Sequence, residues 1–178
     1  MSRPCHGLAC FDVGRSLYAI GCRGPGLAIV ASTARYSTRY DAWEPRAAMS
    51  TPRYRFAAAV LGGQVYATGG RTAVGHILAT AERYDPAADA WELIADMRMP
   101  RRRFAALALG GHVYAIGGLN GDEHLASTER YDPASDLWQD VAIELVAESW
   151  SMAGIDIRAF ARNFWQYMVM CWGCPLAR

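Results

Sequence analysis

The stretch RFAAAVLGGQVYATGG at residues 55–70 returns as RFAALALGGHVYAIGG at residues 103–118, 48 positions later. In each copy an apolar run meets Gly-Gly, and five residues on a second Gly-Gly follows. A two-residue Gly-Gly loop between short apolar runs signals a β-hairpin, because both central residues of such a turn need positive φ and glycine supplies it without steric cost. Self-similarity at this period marks an array of one supersecondary unit.

The register extends outward from that stretch. AERYDPAADAW at 81–91 matches TERYDPASDLW at 128–138 with an offset of 47, so one residue is lost in the connecting loop. A worn upstream copy places Tyr18, Gly21, Tyr36, Asp41, Trp43 and Met49 in the positions of Tyr66, Gly69, Tyr84, Asp89, Trp91 and Met97, each 48 residues earlier. In the second copy four strands are expected, over 56–61, 64–68, 79–84 and 90–94. The Asp-Pro turns, Asp85-Pro86 and Asp132-Pro133, open the way into the fourth strand, with proline setting φ and aspartate bonding the backbone two residues on. Each unit therefore reads as a four-stranded antiparallel meander.

The residues shared between copies are Gly69-Gly70 and Gly117-Gly118, Tyr66 and Tyr114 three residues before each pair, and the Tyr84/Trp91 and Tyr131/Trp138 pairs seven apart. In these the chain resembles the Kelch repeat, which implies an all-β Kelch-type β-propeller fragment of three four-stranded blades. The expected units are a degenerate repeat at 5–52, repeats at 53–100 and 101–141, and a non-repeat tail at 142–178. In the tail, Ile157, Phe160, Phe164, Tyr167 or Met168, and Cys171 recur at helical spacing behind an Asp156 cap and before Gly173 and Pro175, predicting a helix over 157–171. The loss of register near 141, and a first copy that begins within about five residues of Met1, lead to the expectation that the sequence is a piece of a longer Kelch protein.

Composition narrows the functions. Hydrophobic residues make up 52% of the 178 and charged residues 20%, enough for a packed core. Eighteen basic residues against 17 acidic leave a net charge of +1, without the basic footprint of a general nucleic-acid binder. All 18 are arginine, which excludes Schiff-base lysines and lysine phosphate loops. The longest nearly apolar stretch, 164–172, is nine residues, short of the roughly 20 a membrane helix needs. Five cysteines, an odd number, point to a reduced, cytoplasmic setting.

No catalytic constellation is evident, and no cofactor or metal is expected. His76 and His124 stand one repeat apart and so belong to different blades, too far apart to share one ion. Cys171 and Cys174 have C-x-x-C spacing without a second ligand pair. Asp85, Asp89, Asp132 and Asp136 fall within the turn motif, where local hydrogen bonding accounts for them.

The arginines carry the site hypothesis. Arg53 and Arg55 in Pro-Arg-Tyr-Arg, and Arg101 and Arg103 in Pro-Arg-Arg-Arg, precede the first strand of their copies, so successive blades present arginine near one rim. Guanidinium forks suit carboxylates; the alternative is pairing with carboxylates of the neighbouring blade to hold the ring. Arg71 and Asn120, just beyond the Gly pairs, differ between copies on a constant frame, as partner-recognising loops do. In the Kelch substrate adaptors that this sequence resembles, an arginine in the same Pro-Arg-x-Arg context contacts acidic peptides, and the matching positions are Arg55 and Arg103. The resemblance implies a protein-interaction module, the substrate-recognition part of a cullin-RING ubiquitin ligase adaptor without its BTB and BACK domains. An actin-associated Kelch protein and a Kelch-propeller enzyme are the alternatives. Three blades fall short of the 4–8 of a closed ring, so self-association through open blade edges is also expected.

Overall fold

The computed structural model describes residues 7–24, 26 and 28–142. The expected helix over 157–171 and the Cys171/Cys174 pair lie outside the described residues.

Three four-stranded antiparallel sheets follow one another along the chain. Blade one contains β1 (Ala9–Val13), β2 (Ser16–Arg23), β3 (Ile29–Ser37) and β4 (Ala42–Arg46). Blade two contains β5 (Ala57–Leu61), β6 (Gln64–Thr68), β7 (Ala81–Asp85) and β8 (Ala90–Ile94). In blade three β9 (Ala105–Leu109) and β10 (His112–Ile116) pair with β13 (Thr128–Asp132) and β14 (Leu137–Val141), and a small hairpin of β11 (Leu119–Asn120) and β12 (Glu123–His124) intervenes. The Gly62-Gly63 turn has φ of 60° and 78° at its two residues, the conformation the hairpin reading required.

The strands expected over 64–68 and 90–94 form as read, and the other two start later. Phe56 is excluded from β5 because Arg55 before it adopts φ of 56°. β7 begins at Ala81, although the Thr80 carbonyl just before it still accepts from Gly69 N at 3.0 Å and also from Arg53 Nη1 at 2.6 Å.

Two apolar seams join the blades, and they are built from the same pair of faces. Tyr18, Ile20 and Met49 of blade one pack on Phe56, Val65, Ala67 and Tyr84 of blade two. Ala57, Ala59, Tyr66, Ala81, Ile94 and Met97 of blade two pack on Phe104, Val113, Ala115, Tyr131 and Trp138 of blade three. At the centre of each seam two tyrosine rings meet, Tyr18 with Tyr84 at 5.9 Å and Tyr66 with Tyr131 at 5.8 Å between centroids, within the range of favourable aromatic pairs.

A polar clasp closes each seam. Trp91 Nε1 donates to the Ala47 carbonyl at 3.0 Å, and Trp138 Nε1 to the Ala95 carbonyl at 2.9 Å. The amides of the same two alanines donate to Asp89 Oδ1 at 3.0 Å and Asp136 Oδ1 at 2.9 Å, while Tyr84 Oη and Tyr131 Oη donate to those carboxylates at 2.7 Å. Asp85 and Asp132 do bond locally, accepting from the amides of Ala87 and Ala134. Asp89 and Asp136 do more than the local reading assigned them, because they reach the preceding blade. Gly69 shows why the Gly pair is needed: at φ +60°, a Cβ there would stand 2.5 Å from the Arg101 carbonyl oxygen, where blade three's entry segment crosses.

Candidate functional site

The segments before β5 and β9 line up along one rim of the blades. Arg71 exchanges both backbone hydrogen bonds with Tyr54, at 2.8 and 3.1 Å, and Leu119 does so with Arg102, both at 2.9 Å. From blade to blade, Gly70 N donates to the Arg101 carbonyl at 2.8 Å and Arg103 N to the Arg55 carbonyl at 2.9 Å. The equivalent arginines 55 and 103 are thus neighbours on a hydrogen-bonded arc.

Both adopt the left-handed conformation, with φ of 56° at Arg55 and 53° at Arg103. That region costs a residue with a Cβ roughly 1–2 kcal/mol and is glycine's by default. The corresponding position in copy one is Gly7, with φ of 68°. Arginine therefore stands twice where the backbone asks for glycine, and strain of this kind concentrates at functional sites.

Around them the rim is cationic and half-buried. The guanidinium carbons of Arg55 and Arg23 lie 5.1 and 5.5 Å from the centroid of the Tyr54 ring. Burial alone would raise the Tyr54 phenol, yet hydrogen bonds and charge from Arg55 and Arg23 bring it below its ordinary value, so the site favours negative charge. The buried Nε of Arg55 and the buried Nε of Arg71 have no hydrogen-bond partner among the described residues. Arg102 Nη2 donates to the Gly121 carbonyl at 2.9 Å and fixes the β11–β12 hairpin, where Asn120 is half-buried and donates to Met99 Sδ at 3.4 Å.

Arg53 and Arg101 are a correction to the sequence expectation. Neither is exposed at all, so neither is placed to meet a partner. Arg53 Nη2 pairs with Glu82 Oε1 at 2.8 Å, and its Nη1 donates to the carbonyls of Gly69 and Thr80. Glu82 in turn accepts from the Ser50 amide and hydroxyl and from the Thr51 amide. Blade three repeats the device: Arg101 Nη2 pairs with Glu129 Oε1 at 2.7 Å, and Glu129 accepts from the amides of Arg98 and Met99. The pairs lie within one blade, not between neighbours. Burial raises the Glu82 carboxyl, but the bonds from Arg53 and Ser50 outweigh it and hold it below the usual carboxylate range.

Sequence reasoning passed over Glu82, Glu129 and Tyr54. The two glutamates share a place in the repeated ERYDP motif, ahead of its paired tyrosine, and each has an arginine at the same distance from the Gly pair; that double recurrence was the available signal. Tyr54 does not recur, since copy three has Arg102 in its place. His76 and His124 are both exposed, and no group of three metal-ligating side chains occurs among the described residues. No helix among the described residues is long and apolar enough to cross a membrane.

A family model described as Kelch motif matches residues 52–98 and 100–143, slightly more than half of the 178. No curated protein matches the chain.

Proposed function

This chain belongs to the Kelch-motif family, whose repeats mediate protein–protein interaction, and we propose that its rim around Arg55 and Arg103 recognises an acidic segment of a partner protein. The observation that carries the reading is the pair of arginines held at positive φ where copy one has glycine. A guanidinium there is retained against a backbone preference, which interior packing does not explain because both residues are only half-buried. Arg55, Arg71, Arg102 and Arg103 supply forked donors to carboxylates, Tyr54 supplies a ring beside them, and Asn120 flanks them on the hairpin. The module is non-catalytic in this reading. Its proposed setting, which the resemblance to Kelch adaptors supports, is cytoplasmic substrate recognition for a cullin-RING ubiquitin ligase, with BTB and BACK domains supplied by a longer polypeptide.

Titration of a fluorescent peptide carrying a run of glutamates tests the site. Arg55→Ala or Arg103→Ala is expected to weaken binding roughly ten- to a hundredfold, from about 1.5–3 kcal/mol per charge-assisted contact, while the folded state is kept. Affinity is also expected to fall as salt rises, since exposed charges are screened over about 8–10 Å. Arg55→Gly separates strain from recognition: it suits the backbone, so stability should hold or rise while affinity falls. Unchanged affinity in all three variants would remove the rim as the binding site.

A further inference from the structure

Arginines in the blades are usually neutralised. Arg35 and Arg46 share Glu44, and Arg53, Arg83, Arg98 and Arg101 each have a carboxylate of their own. Arg23 and Arg55 meet no carboxylate among the described residues, although both are half-buried. Taking a charge out of water without a counter-charge is costly unless other polar groups hold it. What these two share is Tyr54: their guanidinium carbons lie 5.5 and 5.1 Å from the centroid of its ring, and its hydroxyl accepts from both.

The three groups come from two blades. Arg23 is the last residue of β2, which reaches it past the register shift between Ile20 and Cys22. Tyr54 and Arg55 precede β5 of blade two. The Tyr54 backbone is tied to Arg71 by two hydrogen bonds, and its ring, 7% exposed, lies so close to Gly7 that a Cβ there would stand 2.5 Å from Tyr54 Cε2. The phenol is therefore fixed at both ends. At the next seam the residues in the places of Arg23, Tyr54 and Arg55 are Arg71, Arg102 and Arg103. With arginine in place of the tyrosine, Arg102 turns its fork to the Gly121 carbonyl of its own blade and gathers nothing across the seam.

We propose that Tyr54 positions Arg23 and Arg55 as one subsite straddling blades one and two, which takes a single side-chain carboxylate of the acidic segment and brings Arg23 into the binding surface. The inference rests on the reading of the rim as an acidic-segment site and adds the group that shapes it. A hydroxyl oxygen accepting from two guanidiniums orders their forks without cancelling their charge, whereas a carboxylate in its place would consume the attraction a ligand needs. The phenol has this property only while it keeps its proton; once ionised, it is itself the anion between the two cations. Arg23 from β2 and Arg55 from the segment before β5 are the charged groups that face it among the described residues, and together they outweigh burial and bring the phenol below its ordinary value. Ionisation of Tyr54 and binding of a carboxylate therefore oppose each other, and by reciprocity a bound carboxylate pushes the phenol back up.

Titration of the fluorescent glutamate peptide onto the full chain between about pH 7 and 10, the range below the ordinary tyrosine pKa, tests it, with tyrosinate absorbance followed alongside. The parent's affinity is expected to fall as pH rises. Tyr54→Phe keeps the ring, so the fold measured by circular dichroism should be unchanged, while binding at pH 7 weakens about three- to tenfold and the alkaline fall disappears. Arg23→Ala should weaken binding by about tenfold and move the earliest tyrosinate step to higher pH, and saturating peptide should move the same step in the parent. Tyr40→Phe, on an exposed turn, should leave affinity unchanged. Binding that depends on Arg55 but is indifferent to Arg23→Ala and Tyr54→Phe would overturn the subsite and leave the rim standing; binding indifferent to Arg55 as well would overturn both. Weakened binding by Tyr54→Phe with the parent's pH profile would overturn the role of the phenol, since the ring alone would then be at work.

Discussion

Blade one and its two successors are the same fold written with and without a buried ion pair. Arg53–Glu82 and Arg101–Glu129 occupy the middle of blades two and three, and the corresponding positions in copy one are Cys5 and Ala34. Both members are missing together. That is what the energetics of buried pairs demand, since a lone charge is costly while replacement of both partners by apolar groups is tolerated. The paired residues also change what the backbone needs around them: Arg53 binds the carbonyls of Gly69 and Thr80, ending β6 at the Gly pair. In blade one Cys22 stands where the second glycine would be, and β2 runs on past a register shift to Arg23. The ion pair specifies where a blade's second strand stops, and a blade lacking it forms a longer, less regular hairpin.

Breaking one pair is therefore the largest effect expected. Arg53→Ala or Arg101→Ala should lose about 3–5 kcal/mol in chemical denaturation, because a buried carboxylate is left without its cation. Arg53→Met combined with Glu82→Leu should lose much less, reproducing the state that blade one adopts naturally. A single variant as stable as the double would show that the pair does not hold the blade.

The sequence made the strands of the scaffold legible to within one or two residues, because the Gly pairs, the ERYDP turn and the Tyr/Trp clasp each repeat where a seam or a hairpin repeats. The candidate site was harder to read for the same reason. Four arginines recur as a set, and spacing alone does not tell Arg53 from Arg55, two residues apart, one of them sealed against Glu82 and the other at the rim. The direction of each side chain depends on the positive φ at Arg55 and Arg103, a backbone property for which the only sequence trace is Gly7 at the same place in copy one. Tyr54 left no trace, since nothing repeats it.

A smaller effect separates the three clasp tryptophans. Trp138→Phe removes the donor to the Ala95 carbonyl and should lose about 1–3 kcal/mol, the range for leaving a partly buried acceptor unmet. Trp91→Phe should behave similarly, since its indole serves both Ala47 and Thr33. Trp43→Phe should change stability by less than about 0.5 kcal/mol, as surface substitutions do, because no alanine carbonyl of a preceding blade meets its indole among the described residues as Ala47 and Ala95 meet those of Trp91 and Trp138. A loss as large as that of Trp138→Phe would show that the indole matters without a preceding blade.

The smallest effect expected is a difference in acid sensitivity between clasps. The Tyr84 hydroxyl and then the Ala47 amide hold the Asp89 carboxyl below its ordinary value; for Asp136 the Ala95 amide leads and the Tyr131 hydroxyl follows. A carboxyl that is more acidic in the folded chain than in the unfolded one, where its pKa is about 3.9, contributes stability above that value and loses it as pH falls through the folded pKa. The thermal midpoint should therefore be flat between about pH 7 and 5 and decline below about pH 4. Both clasps are near solvent, so screening keeps each share small, and Glu82 and Asp132, whose carboxyls are also lowered, add to the common background. The comparison between variants isolates the clasp: Asp136→Asn keeps an oxygen acceptor but cannot titrate, so its midpoint should lie below that of the parent at pH 7 and approach it near pH 3. Parallel curves for Asp136→Asn and the parent would mean that the carboxylate charge contributes nothing to the seam and that the neutral hydrogen bonds alone hold it.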